Sequence, residues 1–204
     1  MKELVLKFEF KGDRNYVHGS DVFVKIVDEM CARGFDNWNY MELNIKQICH
    51  NNLICFLSER KNNHENEVIN FTIKKGKDRI FGTILEDPED KIESRYSFTD
   101  EDIFENCTIN YEEGSITYDN PENTFLTIEI ILASAKFFLE NAMDNSVKWY
   151  FRRIKLLRPI EEIETHPITL KKVSEKNGFI GFDLFIGDKQ FGDGYAAAAI
   201  IPAL

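Results

Sequence analysis

The chain is predicted to be an α+β protein that builds one unit twice, a helix followed by several antiparallel strands. Three observations lead there. Two stretches rhyme. Ile69-Asn70-Phe71-Thr72-Ile73 runs through Gly76 to Phe81-Gly82, and Ile180-Gly181-Phe182-Asp183-Leu184 runs through Gly187 to Phe191-Gly192. Each reads as a β-hairpin: alternating apolar residues, a charged turn carrying glycine, then a second strand opening on Phe-Gly. The rhyme extends upstream, to Leu43-Asn44-Ile45-Lys46 in one case and Phe151-Arg152-Arg153-Ile154-Lys155 in the other. Ile45 stands 31 residues before Gly76, and Ile154 stands 33 before Gly187. Finally, a helix-like segment precedes each block.

Taken in order, residues 4–10 alternate and read as a strand, and residues 11–15 as a loop. Residues 21–33 make a helix with Val22, Phe23, Ile26, Val27 and Met30 on one face. Ser20 or Asp21 caps its start and Gly34 ends it. Strands are expected over 40–48, 53–60, 67–74 and 79–87. Asp87-Pro88-Glu89-Asp90 and Asp100-Glu101-Asp102 delimit an acidic linker. The first repeat therefore spans 1–87, the linker 88–102 and the second repeat 103–204. In the second repeat, short strands over 107–111 and 115–118 lead to a turn at 119–123. The helix over 124–143 is apolar almost all round, the mark of burial on most sides. Strands over 148–157, 168–174, 178–186 and 190–198 follow. The apolar tail from Tyr195 to Leu204 continues the last strand and then packs or frays.

Composition narrows the function. A net charge of −10 argues against a nucleic-acid partner, which needs a basic face. A core is affordable in a chain that is 43% hydrophobic, and its 17 Phe favour sheet. Cys31, Cys49, Cys55 and Cys107 form no CxxC, so no metal site is expected. They read as buried thiols of a reducing cytoplasm. The start Met1-Lys2-Glu3-Leu4 begins a strand and not a signal peptide. Residues 125–139 are interrupted by Glu129 and Lys136 and are too short to span a bilayer, so no membrane is expected.

A long apolar helix wrapped by antiparallel strands, repeated once, resembles the double hotdog fold. The element order carries the likeness over most of the chain. In hotdog dehydratases that act on β-hydroxyacyl thioesters, a Pro-containing loop precedes the central helix, which carries an acid in a V-L-x-x-E pattern. Asn120-Pro121 and then Phe125-Leu126-Thr127-Ile128-Glu129 place Glu129 close to that acid's position. The double-hotdog members take a catalytic His from the first repeat, where this chain has His18. Two features depart from the pattern. Pro-Gly is absent before the helix, and His18 adjoins the helix start instead of lying well upstream.

The residues themselves give the chemistry. His18, in Val17-His18-Gly19-Ser20-Asp21, has a side chain suited to removing an α-proton. The helix start beside it offers N–H groups to a thioester carbonyl, and Gly19 lets a substrate approach the backbone. The alternative is a loop histidine held near a cap. Glu129, among apolar residues, is expected to hold its proton and pass it to a leaving hydroxyl. The alternative is a polar stripe with Lys136 and Glu140. Asp21 either orients His18, activates water as some hotdog thioesterases do, or caps its helix. Arg152, Arg153 and Lys155, with Lys148 and Arg158, offer cations to the phosphates of coenzyme A or of a carrier protein's phosphopantetheine, unless they are the solvated face of a strand. His50, His64 and His166 read as surface residues.

The leading expectation is a β-hydroxyacyl-thioester dehydratase with His18 as base and Glu129 as acid, using no cofactor. Its substrate would be carried by an acyl-carrier protein or coenzyme A. Thioester hydrolysis through Asp21 or Glu129 is the alternative enzyme. A non-catalytic hotdog that binds acyl groups or partners a homologue, as a homo- or hetero-dimer, is the alternative outside enzymology.

Overall fold

A computed structural model of the chain describes residues 2–62, 64–143, 148–161 and 163–199. The chain divides into two compact units, residues 1–99 with 156–159 and residues 100–155 with 160–204. Unit 1 contains β1 (Lys2–Leu6), β2 (Phe10–Lys11), α1 (Gly19–Cys31), β3 (Tyr40–Ile45), β4 (Asn51–Ser58), β5 (Ile69–Lys75), β6 (Asp78–Lys91) and β7 (Arg95–Tyr96). Unit 2 contains α2 (Glu101–Phe104), β8 (Cys107–Asn110), β9 (Ser115–Tyr118), α3 (Thr127–Ala142), β10 (Lys148–Leu156), β11 (Ile168–Lys176), β12 (Phe179–Ile186) and β13 (Lys189–Ala199).

In unit 1 the main strands lie in the order β1-β4-β6-β5-β3, every neighbour antiparallel. Alternation buries Met41 and Leu43, then Leu53, Cys55 and Leu57, then Ile69, Phe71 and Ile73. Val22, Phe23, Ile26 and Met30 of α1 are buried with them. Gly34 ends the helix at φ +83°, where glycine carries no Cβ penalty. Phe71 stands opposite Gly82, and a Cβ at Gly82 would meet the ring at 1.9 Å. The glycine of this Phe-Gly pair is there because the ring occupies its side-chain space.

In unit 2 the order is β8-β9-β11-β12-β13-β10. Nine residues of α3 are buried, from Thr127 to Leu139. Phe138 meets Phe182 of β12 edge to face, with centroids 5.7 Å apart. Phe104 of α2 stacks on Phe137 at 4.7 Å.

Both rhyming stretches are hairpins, β5–β6 and β12–β13, with two-residue loops that open on Gly76 and Gly187 at positive φ. They sit differently among their neighbours. β5 pairs with β3 and β6 with β4, whereas β12 pairs with β11 and β13 lies next to β10. Connection length explains the difference. β11 and β12 are joined only by Asn177-Gly178, both at positive φ, a tight turn that forces adjacency. The segment 59–68 between β4 and β5 is long enough to step past one strand.

Several boundaries differ from the sequence reading. His18, not Ser20 or Asp21, is the N-cap of α1. α3 starts at Thr127 because Asn123 holds the preceding turn. Its Oδ1 accepts from Tyr118 Oη at 3.0 Å and Phe125 N at 2.8 Å, and its Nδ2 donates to Phe125 O at 2.9 Å. β6 continues through Pro88 to Lys91, paired with Asn51, and β7 and α2 lie in the stretch read as linker. Cys49 lies in the connection after β3 and not in a strand. Cys31 is exposed and Cys107 half-buried, so only Cys49 and Cys55 are buried thiols. β13 reaches Ala199, and the rest of the apolar tail is outside the described residues. No described helix is long and apolar enough to cross a membrane.

Candidate active site

The head of α1 is assembled from three parts of unit 1. β2 and β7 pair in parallel, which sets Lys11 beside Tyr96. The chain then turns at Gly12, φ +57°, where a Cβ would meet Phe98 O at 2.5 Å. The loop that follows is pinned along its length. Arg95 donates to the carbonyls of Gly12 and Arg14, His50 Nδ1 to Asn15 O at 2.7 Å, and Val17 N to Cys49 O at 2.8 Å. His18 thus enters α1 in extended geometry, φ −77° and ψ 143°, and its carbonyl accepts from Asp21 N and Val22 N.

Around that entry lies a connected set of side chains. His18 Nδ1 is 2.7 Å from Ser20 Oγ. Ser20 Oγ donates to Asp21 Oδ1 at 3.0 Å, and Tyr96 Oη donates to the same oxygen at 3.0 Å. Lys11 Nζ donates to Ser20 Oγ at 3.1 Å and stands 3.8 Å from Asp21 Oδ1. Lys11 is 0% exposed, with Nζ over the Phe98 ring at 3.7 Å. A buried ammonium is tolerable only where oxygens and aromatic faces replace its water, and here both do. The arrangement unites a half-buried imidazole, a hydroxyl, a carboxylate, a phenol and an ammonium at a helix N-terminus. Gly19 opens the helix there, where backbone N–H groups and the positive end of the dipole favour negative charge.

The structure brings His18, Gly19 and Asp21 together and adds Lys11, Ser20, Tyr96 and Phe98. Lys11 was hidden by a Lys-Gly-Asp-Arg-Asn string that reads as a solvated loop. Tyr96 and Phe98 lie in what reads as a linker. Glu129 belongs to unit 2, in the first turn of α3, half-buried. Its Oε2 accepts from Leu126 N at 3.1 Å, a contact that caps its own helix. Arg152 falls on the side of β10 that carries the buried Ile154 and Leu156, and Arg153 and Lys155 on the other. Asp193 of β13 stands 2.6 Å from Lys155 and 3.9 Å from Arg153. The basic run is therefore split between two faces and partly neutralised. A groove of about 380 Å³ in unit 1, lined by Glu42, Asn44, Glu67, Asn70, Thr72 and Thr83 among others, includes none of the predicted site residues.

No family model and no curated protein matches the sequence. Solved structures do. The tesB protein of Mycobacterium avium subspecies paratuberculosis matches 97% of this chain over 93% of its own, at 5% identity and a TM-score of 0.51. A Thermobifida fusca protein assigned as a thioesterase II matches 93% over 90%, at 9% identity and a TM-score of 0.51. The dehydratase domain from the CurF module of the Curacin polyketide synthase matches 90% over 84%, at 11% identity and a TM-score of 0.45. The first two carry the inference, and at such low identity what they show is the fold: the chain is a hotdog protein.

Proposed function

We propose that the chain hydrolyses an acyl thioester, with His18 as general base and Asp21 as the acid that organises it. One observation supports this most, the bonded path from His18 through Ser20 to Asp21 at the head of α1, all within unit 1. In this reading His18 takes a proton from water as the water attacks the thioester carbonyl. The carbonyl oxygen becomes an oxyanion near the first N–H groups of α1. Collapse breaks the C–S bond, and the proton on His18 passes to the leaving sulfur. The products are a carboxylic acid and a thiol. The two neighbours with the higher TM-scores bear thioesterase names, which agrees with this choice. The acyl carrier is coenzyme A or an acyl-carrier protein.

Dehydration of a β-hydroxyacyl thioester is the second reading, favoured by the carboxyl of Glu129 in the first turn of α3. Purified protein assayed against saturated and 3-hydroxyacyl thioesters separates the two. Hydrolysis should fall by about 10²–10⁴ in His18→Ala and in Asp21→Asn, and persist in Glu129→Gln. Loss of water from the 3-hydroxyacyl series, abolished by His18→Ala and Glu129→Gln, selects the dehydratase instead. No turnover of either series, with acyl-carrier binding retained, selects the non-catalytic hotdog.

A further inference from the structure

We infer that Ser20 sets the tautomer of His18, and that Lys11 and Tyr96 are positioning residues that make Ser20 do so. The inference rests on the reading of His18 as base. Ser20 Oγ carries one proton and meets three groups: Lys11 Nζ at 3.1 Å, Asp21 Oδ1 at 3.0 Å and His18 Nδ1 at 2.7 Å. The Lys11 ammonium can only donate, so Oγ accepts there. Asp21 Oδ1 collects donors, since Tyr96 Oη also points to it at 3.0 Å. It therefore takes the Ser20 proton. The remaining lone pair of Oγ faces His18 Nδ1, and at 2.7 Å that contact is a hydrogen bond only if Nδ1 carries the proton. The lone pair of the imidazole is then on Nε2, and Nε2 is the atom that takes a proton from water.

One contact opposes this. Ser20 N lies 3.4 Å from His18 Nδ1, and a bond there requires the lone pair on Nδ1. The distance is beyond the normal range for N–H···O or N–H···N bonds, whereas 2.7 Å is well inside it. Giving the hydroxyl proton to His18 would also leave Oγ and Oδ1 3.0 Å apart with no proton between them. The shorter contact decides. Lys11 fills one acceptor position on Oγ and lies within ion-pair range of Oδ1, and Tyr96 holds Oδ1 from another side. Each narrows the directions in which the Ser20 proton can point.

The test is a long-range ¹H–¹⁵N correlation spectrum of the ¹⁵N-labelled full chain at about pH 8, with the His18 signals assigned by their loss in His18→Gln. The expected result is a proton on Nδ1 in the unaltered protein. In Ser20→Ala it should move to Nε2, and kcat should fall about 10- to 100-fold with KM little changed, the scale of losing an orienting partner. A proton on Nε2 in the unaltered protein, or an unmoved proton in Ser20→Ala, overturns the inference. The spectrum needs no turnover, so it separates the two claims. A proton on Nδ1 in a protein that hydrolyses nothing upholds the tautomer and refutes the hydrolase. Hydrolysis dependent on His18 with the proton on Nε2 does the reverse.

Discussion

Replacing Lys11 with Met keeps the length of the side chain and deletes the charge, so it isolates what the buried ammonium contributes. Three attractions are lost. At 3.8 Å and an effective dielectric near 20, the Lys11–Asp21 attraction is about 4 kcal/mol. The charged hydrogen bond to Ser20 contributes about 2 kcal/mol and the desolvated contact with Phe98 about 2 kcal/mol. Against them stands the desolvation of the ammonium, several kcal/mol, which Met does not incur. The balance is a net loss of about 3 kcal/mol, in line with breaking one side of a buried pair. Urea unfolding followed by far-UV circular dichroism measures it, with Asp21→Asn and the double variant closing a cycle. The Lys11–Asp21 coupling energy should be about 1 kcal/mol or more. If Lys11→Met unfolds at the same urea concentration as the unaltered chain, or at a higher one, the ammonium contributes nothing net and the account of this cluster is wrong.

Two further outcomes follow from the cores. Phe138→Ala should destabilise by about 3–5 kcal/mol and lower Tm by about 6–20 °C, with about 0.5–1.5 kcal/mol of coupling to Phe182 in a double-variant cycle; a melt that barely moves would mean α3 is not packed as described. Burial pushes the thiols of Cys49 and Cys55 up to about 12 from the usual 9.0, so iodoacetamide at pH 8 should label exposed Cys31 first and those two only on unfolding, as peptide mass mapping would show. Because their folded values lie above the unfolded one, these two thiols contribute stability that is whole below about pH 9 and declines as pH rises from 9 toward 12.

Local patterns were legible in the sequence, and long-range ones were not. The rhyming hairpins, the helix faces and Gly34 follow from periods of 2 and 3.6 and from turn chemistry, all encoded within a dozen residues. Asn177-Gly178 likewise announces a tight hairpin. What it implies for strand order appears only when set against the long segment 59–68, because the order depends on how far a connection can reach. Glu129 shows a limit of another kind. Its apolar neighbours suggest a proton donor, yet the first turn of a helix supplies an N–H that the carboxylate accepts, a local competition that residue type alone does not reveal. Lys11 is the sharpest case. Nothing in a charged string distinguishes a solvated lysine from one that inserts beneath Phe98, since the partners are remote in sequence.

The two long helices show why that remote convergence points to function. Each must satisfy the N–H groups of its first turn. α3 does so locally: Glu129 caps Leu126, and Asn123 holds the turn before it, all within a few residues. Nothing charged need be brought from afar. α1 is entered differently. His18 serves as the cap, and its surroundings are drawn from Lys11 through to Phe98, including an ammonium with no exposure. Ordering distant segments loses conformational entropy, and burying a charge opposes folding. α3 demonstrates that a helix start in this chain can be stable without either. A polar cluster that stability alone does not require is where sequence-level economy yields to chemistry. The first assays should therefore target the head of α1, before Glu129.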